Sequence, residues 1–401
     1  MFGDERSFLR SAQGRLPGIS ARSLWPSRRS WAGYAGGMAL VTLATSPGSG
    51  QAPIRITDDR ACSTCRIVLD SLVSLESRDT VSFSWRSQWI AATSDHFIVA
   101  PTYNPGQIAI FDRRGSLTGT VGRLGPGPGE VRRGVIKITT GPGDSLHVME
   151  FTRWMVFAPP EYEFVREITI RGGHDPQTFV VIDSGGNQGD LLAGFASQRE
   201  GRLFTIHLIS AVTGEIIRSF DMPTTDESRG PNSTLRAISW RESKLWFSPV
   251  ERVKIRSQAL NGGDIREWIR TDGWFPGDAV GTTYEPYLQP PVPKVWDVHA
   301  AGDAIWVRAL VADPDWAPLA TSPSDPNLAR AIRTVDMNKL YDTVIEVFDR
   351  ETGRVLARHR DDRALRFVAG SSESPPLVAR FTMQPSGEVR IDILRVTLSR
   401  E

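Results

Sequence analysis

Along most of the chain, apolar residues come in short runs, each closed by a polar turn and followed by a second run. Trp89–Thr93 is followed by His96–Ala100, Val135–Thr139 by Leu146–Glu150, and Phe179–Asp183 by Asp190–Gly194. The pattern continues with Leu235–Ser239 and Leu245–Ser248, Val295–His299 and Ala304–Arg308, and Leu365–Ala369 and Leu377–Phe381. Runs of this length, rich in β-branched and aromatic residues, predict strands. The links between them carry turn chemistry: Gly141-Pro142-Gly143-Asp144, Gly185-Gly186-Asn187 and Gly302-Asp303. A second hairpin follows most pairs. Ile108–Asp112 passes Gly115 into Leu117–Val121, and Thr205–Ser210 passes Gly214 into Glu215–Phe220. Val253–Ser257 passes Asn261-Gly262-Gly263 into Ile265–Ile269, and Val344–Asp349 passes Gly353 into Val355–His359. Four short antiparallel strands, repeated six times, predict an all-β chain folded as a single six-bladed β-propeller over residues 53–401. A two-sheet sandwich also has short strands and turns, but it does not call for six similar units.

The last unit is one strand short, because only Glu388–Thr397 follows Leu377–Phe381. Arg66–Leu75, near the other end of the chain, has the length and pattern to supply the missing outer strand. Placed there, it closes the ring and removes an exposed sheet edge.

Two long segments interrupt the rhythm, the connector 271–294 and the insertion 312–341. Strands in a blade alternate in direction, so both segments fall on one face, where the glycine-rich connector 122–134 also opens. Leu328, Ile332 and Val335 share a side of a short predicted helix that starts near Pro326. The segments carry Trp274, Tyr284, Tyr287 and Trp316, which form the candidate ligand face. Aromatic residues on long loops suit contact with a protein, peptide or carbohydrate. The same side chains would serve as well to pack the insertions onto the propeller.

Composition narrows the class. Hydrophobic residues make up 40% and charged residues 23% of the 401, as in ordinary globular proteins. The first 52 residues carry six arginines against Asp4 and Glu5, while the remainder carries 41 Lys and Arg against 44 Asp and Glu. The propeller therefore has no basic excess, which argues against nucleic acid as a partner. Trp31–Ala44 is free of charge and small residues follow it as far as Ala52. A basic segment, an apolar stretch and small residues in that order predict a signal peptide and N-terminal extension over residues 1–52, and hence export to the periplasm, the cell surface or the medium. Ser27-Arg28-Arg29-Ser30-Trp31 resembles a weak twin-arginine signal, although Ala and Gly dominate the residues after Trp31. Nothing in the mature chain approaches the ~20 apolar residues of a membrane span.

The two cysteines, Cys62 and Cys65, are three positions apart. Zinc would need further ligands nearby, covalent haem would need a histidine where Arg66 stands, and a redox motif would need a βαβ setting. A local disulfide in an oxidising compartment remains. Gly125-Pro126-Gly127-Pro128-Gly129 is not a phosphate loop, since no Lys-Ser/Thr follows and each proline removes an N–H. No HExxH, GxSxG or EF-hand pattern occurs, and the histidines do not align between repeats. No cofactor is predicted. Calcium or zinc enters only under the alternative reading, a metal-dependent hydrolase or lyase with its site at the central channel.

Gly122-Arg123-Leu124-Gly125-Pro126-Gly127-Pro128-Gly129-Glu130, together with Cys62-x-x-Cys65-Arg66-Ile67-Val68-Leu69, resembles the exported bacterial six-bladed propellers related to NHL-repeat proteins. The resemblance covers about residues 62–401. It implies a propeller fold and no defined activity.

Overall fold

A computed structural model describes residues 52–401 apart from 77–82, 84–87, 102–106, 133, 172–177, 183–189, 200–201, 222–234, 271–272, 276–286, 371–375, 386–387 and 401. The basic segment, the apolar stretch, the Gly185-Gly186-Asn187 turn and Tyr284 lie outside the described residues.

Nearly every regular element is a strand. After β1 (Ile54–Arg60) and β2 (Cys65–Glu76), three four-stranded antiparallel sheets follow in chain order. They are β3 (Gln88–Ala92), β4 (His96–Pro101), β5 (Ile108–Asp112) and β6 (Leu117–Val121); β7 (Lys137–Thr140), β8 (Leu146–Glu150), β9 (Arg153–Ala158) and β10 (Glu163–Thr169); and β11 (Thr178–Ile182), β12 (Asp190–Arg199), β13 (Arg202–Ile209) and β14 (Ile216–Phe220). Next come β15 (Arg236–Arg241), β16 (Lys244–Pro249), β17 (Lys254–Gln258) and β18 (Arg266–Arg270), then β19 (Lys294–Ala301), β20 (Ala304–Ala312), β21 (Tyr341–Asp349) and β22 (Arg354–Asp361). β1 runs parallel to both β18 and β22 and joins these two antiparallel runs into one nine-stranded sheet. The last sheet holds β23 (Arg366–Phe367), β24 (Leu377–Met383) and β25 (Val389–Arg400). The short helix α1 (Leu328–Thr334) lies in the 312–341 insertion, as the apolar spacing predicts.

β2 is the outer strand of the last sheet, antiparallel to β25 from Cys65 opposite Arg400 to Glu76 opposite Arg390. It packs as well as it pairs. Leu75 is fully buried among Ile391 and Ile393 of its own sheet and Phe97 and Phe111 of the first. Apolar clusters of the same kind lie between each consecutive pair of antiparallel runs, from the first sheet through to the last. The series closes on itself, giving a propeller-like arrangement. At the inner edge of the closure, the Ala92 N–H donates to Ala369 O at 2.9 Å and the Ala369 N–H donates to Ile90 O at 2.8 Å.

The turn glycines seal the outside. Gly115, at φ +85°, sits so close to β2 that a Cβ there would meet Ser74 O at 2.5 Å. Gly353, at φ +71°, stands in the same way against Arg55 of β1. A left-handed backbone and a bare Cα are both needed at these two turns, which only glycine supplies at little cost.

Two elements were not legible in the repeat pattern. The β9–β10 hairpin is hidden because Glu163–Thr169 alternates partly buried and exposed positions and shows no apolar run. β1 has only Ile56 fully buried, so its Ile54-Arg-Ile-Thr-Asp-Asp-Arg60 reads as a polar extension.

Candidate functional site

The strands β3, β7, β11, β15, β19 and β23 open their antiparallel runs, and all six border one cavity of about 720 Å³. They contribute Trp89, Lys137, Phe179, Arg241, Asp297 and Arg366 to its wall. That volume falls in the range of small-molecule sites.

Among the charged groups on the wall, basic ones outnumber acidic ones. Asp297 and Arg308 are cross-strand neighbours on β19 and β20. Arg308 Nε donates to Asp297 Oδ2 at 2.5 Å, Nη2 reaches the same oxygen, and Nη1 donates to Leu365 O at 2.6 Å. The Asp297 charge is thereby met within the wall. Lys137 and Arg366 converge on Trp89, with Lys137 Nζ 5.5 Å and the Arg366 guanidinium 5.9 Å from the ring centroid. Both are in cation–π range. Arg366 also stands 5.0 Å from the Phe381 ring.

Burial holds the Lys137 ammonium below its usual range, with Asp297 pulling it back up and Arg308 adding to the fall. The same three influences bring Arg366 down to about 10, with burial the largest. At another part of the wall, Arg241 Nε donates to His299 Nδ1 at 3.4 Å. Burial, then the neighbouring Arg241, pushes His299 down to about 3, so it is neutral at pH 7.

The remaining lining is largely aromatic and aliphatic, including Trp240, Trp296 and Phe367. The indole N–H groups of Trp89 and Trp296 are buried without a hydrogen-bond partner among the described residues.

The candidate ligand face splits in the structure. Trp274 lies partly buried against the core shared by the two runs of the large sheet. Its Nε1 donates to Glu346 Oε1 at 3.0 Å, and the Arg358 guanidinium lies 5.4 Å from its ring. Tyr287 and Trp316 are partly buried against Val335, Leu340 and Tyr341. The Leu319 N–H donates to Tyr287 O at 2.8 Å, so the connector and the insertion meet. This cluster also touches Leu310, Met337 and Ala364, which line the cavity. Tyr287 and Trp316 thus stand behind part of the cavity wall, while Trp274 belongs to a separate ion-pair network. The sulfurs of Cys62 and Cys65 are at disulfide-bonding distance, with Cα atoms 5.4 Å apart, between β1 and β2.

Two buried histidines, His147 and His207, are used for packing. Trp154 Nε1 donates to His147 Nδ1 at 2.9 Å, and His147 Nε2 lies 2.9 Å from Ser145 Oγ. His207 contacts Ser219 Oγ and Phe195 O and stacks on the Phe195 ring. Among the described residues, no three His, Cys, Asp or Glu side chains gather as a metal-ligating group.

The pattern reading missed Lys137, Asp297, Arg308 and Arg366. A signal existed in each: a single charge interrupts an apolar strand, as in Val135-Ile136-Lys137-Ile138, Val295-Trp296-Asp297-Val298 and Leu365-Arg366-Phe367-Val368. Isolated charges in buried strands are uncommon without a partner or a task.

No protein-family model matches the chain, and no curated protein is similar to it in sequence. Solved structures are similar in fold. A Bacteroides fragilis protein described as exported matches with a TM-score of 0.55 at 10% identity, covering 86% of this chain and 100% of that one. A member of the DUF4221 family from Bacteroides vulgatus matches with a TM-score of 0.54 at 10% identity, again over 86% of this chain and 100% of the other. Virginiamycin B lyase from Staphylococcus aureus is more remote, at a TM-score of 0.43 and 12% identity over 82% of this chain and 100% of its own. The likeness to the two Bacteroides proteins is one of fold.

Proposed function

We propose that the chain is an exported six-bladed propeller that works as a ligand- or protein-binding scaffold in the periplasm or at the cell surface. The observation that carries this reading is the central cavity, bordered by the opening strand of every antiparallel run. Six blades are in keeping with this arrangement if the two antiparallel runs of the nine-stranded sheet are taken as separate units. Export is supported by the order of basic, apolar and small residues at the N-terminus and by the fold shared with a protein described as exported. No helix among the described residues is long and apolar enough to cross a membrane.

A thermal-shift screen of small molecules, peptides and oligosaccharides tests the reading. Compounds that raise the melting temperature of the wild type should lose that effect in Ser239→Trp, which narrows the cavity. Shifts that survive this substitution would move the binding surface to the outer loops, where Tyr287→Ala and Trp274→Ala are the next probes. Elemental analysis showing one Ca²⁺ or Zn²⁺ per chain would favour the metal-dependent hydrolase or lyase instead.

A further inference from the structure

Most of the charged side chains on the wall of the central cavity are hydrogen-bond donors. Lysine, arginine and the indole N–H donate and cannot accept. Lys137, Arg241, Arg308 and Arg366 all border the cavity, and Asp297 is the carboxylate beside them. Arg308 spends three donors on Asp297 and Leu365 O, so that pair is complete within the wall. The Lys137 ammonium is different: no acceptor among the described residues hydrogen-bonds it, and its neighbour is the face of Trp89. Asp144, a second lining carboxylate, is engaged elsewhere, accepting from the Ser94 N–H at 3.0 Å and the Ser94 hydroxyl at 2.5 Å. Arg236, a further lining cation, is paired with Asp221 outside the cavity.

The charge of Asp297 is felt at Lys137, but that carboxylate is bound by Arg308. A half-buried ammonium with no hydrogen-bonded counter-ion is costly, and proteins usually pair such charges or use them. Elsewhere the wall carries aromatic side chains, with Trp89, Phe179, Trp240, Trp296 and Phe367 among its lining.

We propose that the central cavity binds a small organic anion, its charged head seated beside Lys137 and Arg366 and its apolar body laid against the aromatic wall. This rests on the reading of the cavity as a binding site and adds the chemical class of its occupant. The reduced proton affinity of Lys137 fits a site completed by an anion, since a negative charge there restores the ammonium.

Isothermal titration calorimetry with naphthalenesulfonate and its neutral counterpart, naphthalenesulfonamide, tests the proposal, because the two share one aromatic body and differ in charge. The wild type should bind the sulfonate about tenfold more tightly or better, the worth of one charge-assisted hydrogen bond. That preference should vanish in Lys137→Met, return in Lys137→Arg and persist in Arg114→Met, a change at an exposed turn. Lys137→Met should melt no lower than the wild type without ligand, because it removes a buried charge that no acceptor among the described residues hydrogen-bonds. Equal affinity for the two probes in the wild type overturns the anion proposal and leaves a binding cavity. A preference that survives Lys137→Met overturns the role of that residue and with it the proposal. Failure of the wild type to bind either probe overturns the proposal and weakens the cavity reading, which the wider thermal-shift screen decides separately. If Lys137→Met does not fold, the wild-type ratio and its retention in Lys137→Arg decide the matter.

Discussion

Arg270 and Glu346, 76 residues apart in the chain, meet with Nη2 and Oε2 separated by 2.5 Å, and their side chains are 0% and 1% exposed. They come from β18 and β21, on either side of β1. Arg270 Nη1 also donates to Asp58 of β1 at 2.7 Å, and Arg358 of β22 reaches both Asp58 and Glu346. The pair therefore locks β1 into the large sheet. Glu346→Gln should lower stability by about 3–5 kcal/mol, because it leaves a buried guanidinium undercompensated. Replacing both partners with apolar residues, Arg270→Met with Glu346→Leu, should recover most of the loss. Urea denaturation of the single and double variants measures both effects; a double variant as unstable as the single one would show that the network holds β1 by more than charge balance.

Ring closure through β2 predicts a contrast within one strand. Leu75 is 0% exposed and packs between the last and first sheets, whereas Leu72 is 39% exposed at a break in the β2–β25 register. Leu75→Ala should cost about 2–5 kcal/mol. Leu72→Ala should stay within about 0.5 kcal/mol of the wild type. Similar losses from the two would mean that β2 is held by backbone pairing alone.

The buried histidines set a pH window. Burial holds His147 at about 3, with the nearby Arg166 adding to the shift, and His299 also stands at about 3 against 6.5 for a free histidine. The unfolded chain therefore binds more protons than the folded one between those values. Stability is full above pH 6.5 and falls as the pH drops towards 3, by up to about 1.4 kcal/mol per pH unit for each histidine. Glu167, held low by Arg153, adds a separate loss only below the ordinary carboxylate range. Urea midpoints measured from neutral pH downward should decline before any carboxylate titrates, and His147→Gln should flatten that decline. A flat profile down to about pH 5 would contradict it.

On the reading that the protein is exported, Cys62 and Cys65 should be oxidised. Alkylation without reductant followed by mass spectrometry would detect two blocked thiols if they are not. The bond closes a very short loop, so its loss in Cys62→Ser should cost no more than about 2 kcal/mol and leave the fold intact.

The sequence alone determined most of the strands and their repetition, since alternation and turn residues are local properties. Trp89–Thr93 with His96–Ala100, or Val344–Asp349 with Val355–His359, state their hairpins without help from the rest of the chain. It also determined that Arg66–Leu75 had to pair with the last unit, because an unpaired edge and a spare strand are both visible in one dimension. Only the tertiary structure decided that β1 would enter the large sheet. The partners of its Asp58, Arg270 and Arg358, lie hundreds of residues away, and no local pattern records them. The cavity is the same case. Lys137, Asp297, Arg308 and Arg366 each look like a stray charge in an apolar strand, and they form a site because ring closure brings four strands from three separate runs around one space. Electrostatic convergence depends on distance in three dimensions, to which sequence spacing is blind.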